Sequence, residues 1–148
     1  MTDTEKPHIL VVIADFYKHI ADLQLNGAKK ALNDNNASFD IMYVTGALEI
    51  PAIIAFASMT QKYDGYVALG CVIRGETTHY DTVCTESSRA LMDLAIHKNL
   101  AIGNGILTVE TEAQAIARAD MTNMNKAGGA VMACLCVINI FNTLRASL

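Results

Sequence analysis

The stretch Tyr66-Val67-Ala68-Leu69-Gly70-Cys71-Val72-Ile73-Arg74-Gly75-Glu76-Thr77-Thr78-His79-Tyr80-Asp81 changes character halfway along. An apolar run of strand length pauses at Gly70, resumes through Ile73, and gives way to an arginine, a glycine, two threonines and a histidine before a helical pattern begins. This is the signature of a strand that delivers polar chemistry at its carboxyl end. In open α/β sheets, ligands bind outside the carboxyl ends of parallel strands, where the N–H groups opening the next helix can hold an anion. Gly75-Glu76-Thr77 is placed for that role, and His79 is placed beside it to move protons. The same residues also satisfy a plainer reading, in which the loop merely joins strand to helix, the histidine is solvated and Asp81 caps the helix.

Working outward, the same alternation recurs. His8 to Ala14 is a continuous, β-branched run of the kind that a strand buried on both faces requires. After Asp15-Phe16-Tyr17, the residues Ile20, Leu23, Leu25, Ala28, Ala31 and Leu32 form an apolar helical stripe that stops near Asn33 to Asn36. Phe39 to Val44 predicts a second strand, followed by Gly46-Ala47-Leu48-Glu49-Ile50-Pro51, where the proline suits the first turn of a helix running to about Gln61. The quoted stretch supplies the third strand, Gly65 to Ile73, and its helix from about Asp81 to Lys98. Leu100 to Leu107 predicts a fourth strand interrupted at Gly103-Asn104-Gly105, where Asn104 could mark a bulge. A capping-box-like start at Thr108 to Glu112 opens a helix through Arg118, and after the polar loop Asp120 to Lys126 a last helix ends near Arg145. Four strand-helix units and an added helix predict a flavodoxin-like three-layer α/β/α sandwich around a four-stranded parallel sheet.

Composition narrows the function classes. At 148 residues the chain makes one domain, and its formal charge of -4 gives no basic surface for nucleic acid. With 52% hydrophobic and only 18% charged residues, some apolar surface is expected to be buried between subunits. The polar segment Met1 to Lys6 does not read as a secretory leader, so none is expected, and the uncharged stretch Ala127 to Leu144 is broken by Gly128, Gly129, Asn139 and Asn142, so no membrane span is expected. Cys71, Cys84, Cys134 and Cys136 lack zinc-site spacing and read as reduced core residues of a cytoplasmic protein.

In a parallel sheet the loops after the strands open on one edge, so their side chains can be read together. They bring Phe16 and Tyr17, the Gly46 to Glu49 segment, Arg74 to His79, and Asn104 toward a small-molecule pocket. No phosphate-binding loop for a flavin or dinucleotide, no Ser elbow and no His/Cys metal constellation is present, so neither cofactor nor metal is expected. Each candidate also has an ordinary use. Phe16 could dock its helix, Glu49 could complement a helix amino terminus, Arg118 could answer a helix dipole, and Lys126 could be a surface lysine.

Taken together, these segments resemble the lumazine synthase family, which makes 6,7-dimethyl-8-ribityllumazine in the penultimate step of riboflavin biosynthesis. The resemblance runs from about His8 to Leu148, a single domain preceded by a flexible arm at residues 1–7. It is carried by Gly46 to Pro51, Ala68 to Asp81, Gly105 to Thr108, Gln114-Ala115, Arg118-Ala119 and Asn125-Lys126. It implies that Phe16 stacks on the ring of 5-amino-6-(D-ribitylamino)uracil, that Ala47, Leu48 and Glu49 hold its ribityl chain, and that Cys71, Val72, Ile73 and Asn104 contact the heterocycle. Glu76 and Thr77 would bind the phosphate of 3,4-dihydroxy-2-butanone 4-phosphate through backbone N–H groups, Arg118 would supply the counter-charge, and His79 would be the general acid/base. Lys126 is a further candidate cation. The resemblance also implies a homo-oligomer, a pentamer in which Arg118 acts across a subunit boundary, or a decamer or sixty-subunit icosahedral shell built from such units, with riboflavin synthase as a companion. The chain departs from the family pattern at Ala127-Gly128-Gly129, where a glutamate is usual, and at Asn104, where many relatives carry phenylalanine. These departures keep open a homologue that binds lumazine or flavin, or forms shells, without catalysis.

Overall fold

The computed structural model describes residues 6–148. The arm expected at residues 1–7 therefore falls largely outside the described residues, although the Pro7 carbonyl accepts a hydrogen bond from the Ser38 N–H at 3.0 Å. The chain folds as β1 (His8–Ala14), α1 (Lys18–Asp34), β2 (Ser38–Val44), a single 3₁₀ turn (Ala47–Glu49), α2 (Ile50–Ser58), β3 (Gly65–Ile73), α3 (His79–His97), β4 (Ile102–Val109), α4 (Glu112–Ala119) and α5 (Lys126–Arg145). All strand pairs are parallel and the sheet order is β2-β1-β3-β4. This is the flavodoxin-like α/β arrangement that the alternating pattern predicts.

The two-residue period of a strand divides β1 between two cores. Ile9, Val11 and Ile13 face α1 and α5 together with Val67 and Leu69 of β3, whereas Leu10, Val12 and Ala14 face α2 and α3 together with Tyr66 and Ala68. A smaller cluster of Ile20, Leu107, Val109, Ala115 and Ala119 seats α4 beside α1. Helices α1, α4 and α5 thus cover one face of the sheet, and α2 and α3 cover the other. Among the described residues, α5 is the one helix long and apolar enough to cross a membrane. Ala127, Ala130, Val131, Cys134, Leu135 and Ile138 bury one side of it against the sheet.

Several local expectations are corrected. Strand β4 is not interrupted at Gly103-Asn104-Gly105; these residues pair in unbroken register with Val67, Ala68 and Leu69, and there is no bulge. Helix α3 starts at His79, which moves Asp81 from the cap into the first turn; Thr78 holds the cap position without a side-chain bond. The four cysteines are free, but only Cys134 is buried, Cys71 and Cys84 are partly buried, and Cys136 is exposed. Thr111 and Gln114 form the capping box of α4, three residues later than the Thr108 start suggests.

Gln24 is a buried polar residue that no motif announces. On α1 and only 1% exposed, it donates its amide hydrogens to the carbonyls of Gly70 (2.9 Å) and Gly105 (3.1 Å), while its own Oε1 has no partner among the described residues. It ties α1 to β3 and β4 just before Cys71, where β3 turns toward its polar end. At the opposite edge of the sheet, Asp40 accepts from Lys62 (2.9 Å) and Tyr63 (2.7 Å), and these bonds hold its carboxyl down to about 2.

Candidate active site

Strand order dictates where a cavity opens. The chain leaves β1 for β2 on one side and later places β3 on the other, so the loops after β1 and β3 diverge and leave a crevice at the carboxyl edge. A cavity of about 440 Å³ lies there, lined from the β1 loop by Phe16 and Tyr17, from the β2 loop by Thr45 to Glu49, from β3 and its loop by Cys71, Val72, Ile73, Gly75 and Thr77, and from α3 by His79, Tyr80 and Val83. Three stretches distant in sequence thus meet at one crevice. The volume suits a small organic ligand.

Its walls differ in chemistry. Phe16 is 74% exposed, an unusual setting for so apolar a ring, and meets Tyr17 edge-on with centroids 5.0 Å apart. One flat face therefore remains free for a planar ligand. Glu49 is held by the Thr45 hydroxyl, which donates to its Oε1 at 3.0 Å, and so presents a carboxylate suited to ligand hydroxyls. Burial pushes the Cys71 thiol up to about 11, so this wall is apolar rather than nucleophilic. At the far side, the N–H groups of Gly75, Glu76 and Thr77 have no acceptor among the described residues, whereas the Arg74 N–H still continues the ladder to Val109 at 2.9 Å. These free donors precede the amino terminus of α3, where anions are favoured. His79 opens that helix; its own N–H rests on Thr77 Oγ1 at 3.3 Å, and its ring has no partner among the described residues. A ring face, a carboxylate, a set of free N–H donors and an imidazole converge here.

Nine of the candidate residues, Phe16, Ala47, Leu48, Glu49, Cys71, Val72, Ile73, Thr77 and His79, line this one cavity. Glu76 sits in the same loop, exposed, with its side chain outside the lining. Tyr80 and Val83 join the lining without having been singled out, because α3 starts earlier than its apolar pattern suggests. The Thr77-Thr78 pair was the available signal for that early start. Asn104, Arg118 and Lys126 lie elsewhere. Asn104 is opposite Ala68 near the start of β4, its side chain accepting from the Ile106 N–H at 3.0 Å, so it is not at the carboxyl edge. Together with Thr108, Arg118 and Lys126 it lines a second cavity of about 420 Å³ between β4 and the α4–α5 pair. That cavity has two cationic side chains and no acidic one in its lining. Arg118 is steadied by donating to the Gln114 carbonyl at 3.1 Å.

Comparison with known proteins bears on both cavities. The family model described as 6,7-dimethyl-8-ribityllumazine synthase matches residues 6–142. A 6,7-dimethyl-8-ribityllumazine synthase of Bartonella tribocorum is 59% identical over 135 residues, covering 90% of this chain and 89% of that protein. The protein of Agrobacterium fabrum with the same name is 54% identical across 91% of this chain and 95% of its own. The 6,7-dimethyl-8-ribityllumazine synthase 1 of Rhizobium meliloti is 52% identical across 99% of both chains. The matched span includes every residue that lines either cavity, and on these grounds the chain belongs to the 6,7-dimethyl-8-ribityllumazine synthase family.

Proposed function

We propose that this enzyme condenses 5-amino-6-(D-ribitylamino)uracil with 3,4-dihydroxy-2-butanone 4-phosphate to form 6,7-dimethyl-8-ribityllumazine in riboflavin biosynthesis, with His79 as general acid/base. The observation that carries this reading is the meeting of Phe16, Glu49, Thr77 and His79 around one cavity. Phe16 stacks on the pyrimidine against the Cys71 to Ile73 wall, Ala47, Leu48 and Glu49 hold the ribityl hydroxyls, and the Gly75 to Thr77 donors receive the phosphate.

The reaction needs little beyond placement and protons. The pyrimidine's primary amine attacks the ketone and expels water to give an imine. Loss of a proton from the adjacent carbon drives out inorganic phosphate, and the resulting enol tautomerises to a ketone. The ribityl-bearing amine then closes the ring on that carbonyl, and a second water leaves. Nearly every step moves a proton, so an imidazole at the amino end of α3 can serve repeatedly, a role that typically contributes about a hundred- to ten-thousand-fold. Holding two reactive molecules together contributes at least as much. Arg118 is the counter-charge for the departing phosphate, with Lys126 beside it.

Because Arg118 and His79 line separate cavities within one chain, we infer that the complete site forms between neighbouring copies in a pentamer or a larger assembly of pentamers. The free state of all four cysteines fits a reducing, cytoplasmic setting. A steady-state assay that follows lumazine absorbance and phosphate release together tests the reading. Stoichiometric appearance of both products is expected, with His79→Ala lowering kcat at least a hundredfold while pyrimidine binding persists, and Arg118→Ala raising the KM of the butanone phosphate. A folded protein that binds the pyrimidine but yields no product above background would make this a binding homologue instead.

A further inference from the structure

Arg74 lines neither cavity, yet it touches the elements that carry both. Its Nε donates to both carboxylate oxygens of Glu110, at 2.8 and 3.1 Å, its Nη1 lies 3.5 Å from Asp81 Oδ1, and its guanidinium sits 4.3 Å from the centroid of the Tyr80 ring. Tyr80 is a wall of the first cavity and the neighbour of His79. On the other side, the Glu110 N–H donates to Gln114 Oε1 at 2.8 Å within the cap of α4, and the Gln114 carbonyl accepts from Arg118 at 3.1 Å. One guanidinium thus bridges the first turn of α3 to the start of α4, spanning the loop whose free N–H groups open onto the first cavity.

We propose that Arg74 is a positioning residue that fixes His79 and the Gly75 to Thr77 loop, acting through Tyr80, Asp81 and Glu110. The proposal rests on the reading of His79 as the acid/base. An exposed pair such as Arg74–Glu110 contributes little to stability. Its consequence is geometric, because small displacements of a proton-transfer group are costly to rate. A planar guanidinium can pair with a carboxylate and stack on a ring at the same time, which a lysine ammonium does less well.

The test compares Arg74→Met, Arg74→Lys, Glu110→Gln and the Arg74→Met/Glu110→Gln double variant in the full assembly, with Tm and particle mass as controls. Arg74→Met is expected to lower kcat about tenfold with the pyrimidine KM within about twofold and Tm nearly unchanged. Glu110→Gln should reproduce much of that loss, Arg74→Lys should recover part of it, and the double variant should be no slower than Arg74→Met, since both remove one bridge. Wild-type kcat in Arg74→Met, or losses that multiply in the double variant, would overturn the proposal. Should Arg74→Met not fold, Glu110→Gln carries the same test by itself. His79→Ala is assayed alongside. A wild-type rate there removes the acid/base reading, whereas a slow His79→Ala beside a fast Arg74→Met removes only the positioning role.

Discussion

Cys71 stands in the wall of the first cavity with a thiol pushed up to about 11 by burial. At pH 8 its thiolate fraction is on the order of one in a thousand, against roughly a tenth or more for a free cysteine. Alkylation of native protein with iodoacetamide, followed by mass spectrometry, should therefore label Cys71 about a hundredfold more slowly than in urea. Equal rates would mean that the wall opens to solvent. The same residue shows what could be read from sequence at this scale. Cys71 read as a core cysteine and entered the site only through the family resemblance, whereas Phe16, Glu49 and His79 were legible because each lies just after a strand's carboxyl end, where topology alone brings loops together. Tyr80 was not, since its contribution depends on a helix starting two residues earlier than its apolar pattern indicates. Gln24 was not either: a glutamine within an amphipathic helix reads as a solvent-facing residue until the carbonyls of Gly70 and Gly105 are seen in reach.

The element whose reading went furthest astray is β4. Gly103-Asn104-Gly105 looks like a break because glycine weakens strands, but glycine also permits close approach, and sequence does not separate the two uses. Here approach is the reason. A Cβ on Gly103 would collide with the Ala130 carbonyl of α5, and one on Gly105 would lie 2.7 Å from the Leu69 side chain. The second cavity, with Asn104, Arg118 and Lys126, exists at this tight junction of β4, α4 and α5. Gly129, one position before Ala130, is different, since a Cβ there meets nothing within 4 Å. Gly103→Ala should accordingly destabilise the fold by about 1–3 kcal/mol or more, because α5 must shift away from the sheet. Gly129→Ala should stabilise it by roughly 0.5–1 kcal/mol by restricting the unfolded chain and favouring helix. Thermal melts of the two variants check the contrast. Similar shifts in both would show that Gly103 does not serve the β4–α5 approach.

Across the whole molecule, the apolar excess of the composition reappears as uncovered surface on opposite layers. Phe56 of α2 and Met59 just after it, with Met92 and Ile96 of α3, are more than half exposed on one face, as are Ile140 and Leu144 of α5 on the other. A single two-fold dimer buries one patch twice and leaves the other uncovered, so we propose that the two patches meet as unlike surfaces of neighbouring copies, in the closed ring of the proposed pentamer. The cavities divide the same way: His79 lines the one at the carboxyl edge, and the cationic pair Arg118 and Lys126 lines the one between β4 and the α4–α5 helices. For the proposed pentamer, light scattering should give at least the mass of five 16.0 kDa chains, and a monomer would exclude the ring. Complementation tests the shared site more sharply. His79→Ala and Arg118→Ala are each expected to be slow, but if one chain gives the imidazole and its neighbour the guanidinium, unfolding and reassembling them in equal amounts rebuilds intact sites. A boundary has a wild-type His79 on one side half the time and a wild-type Arg118 on the other half the time, so recovery should approach about a quarter of wild-type activity. Sites contained within single chains would give no recovery, because every chain in the mixture carries one defect.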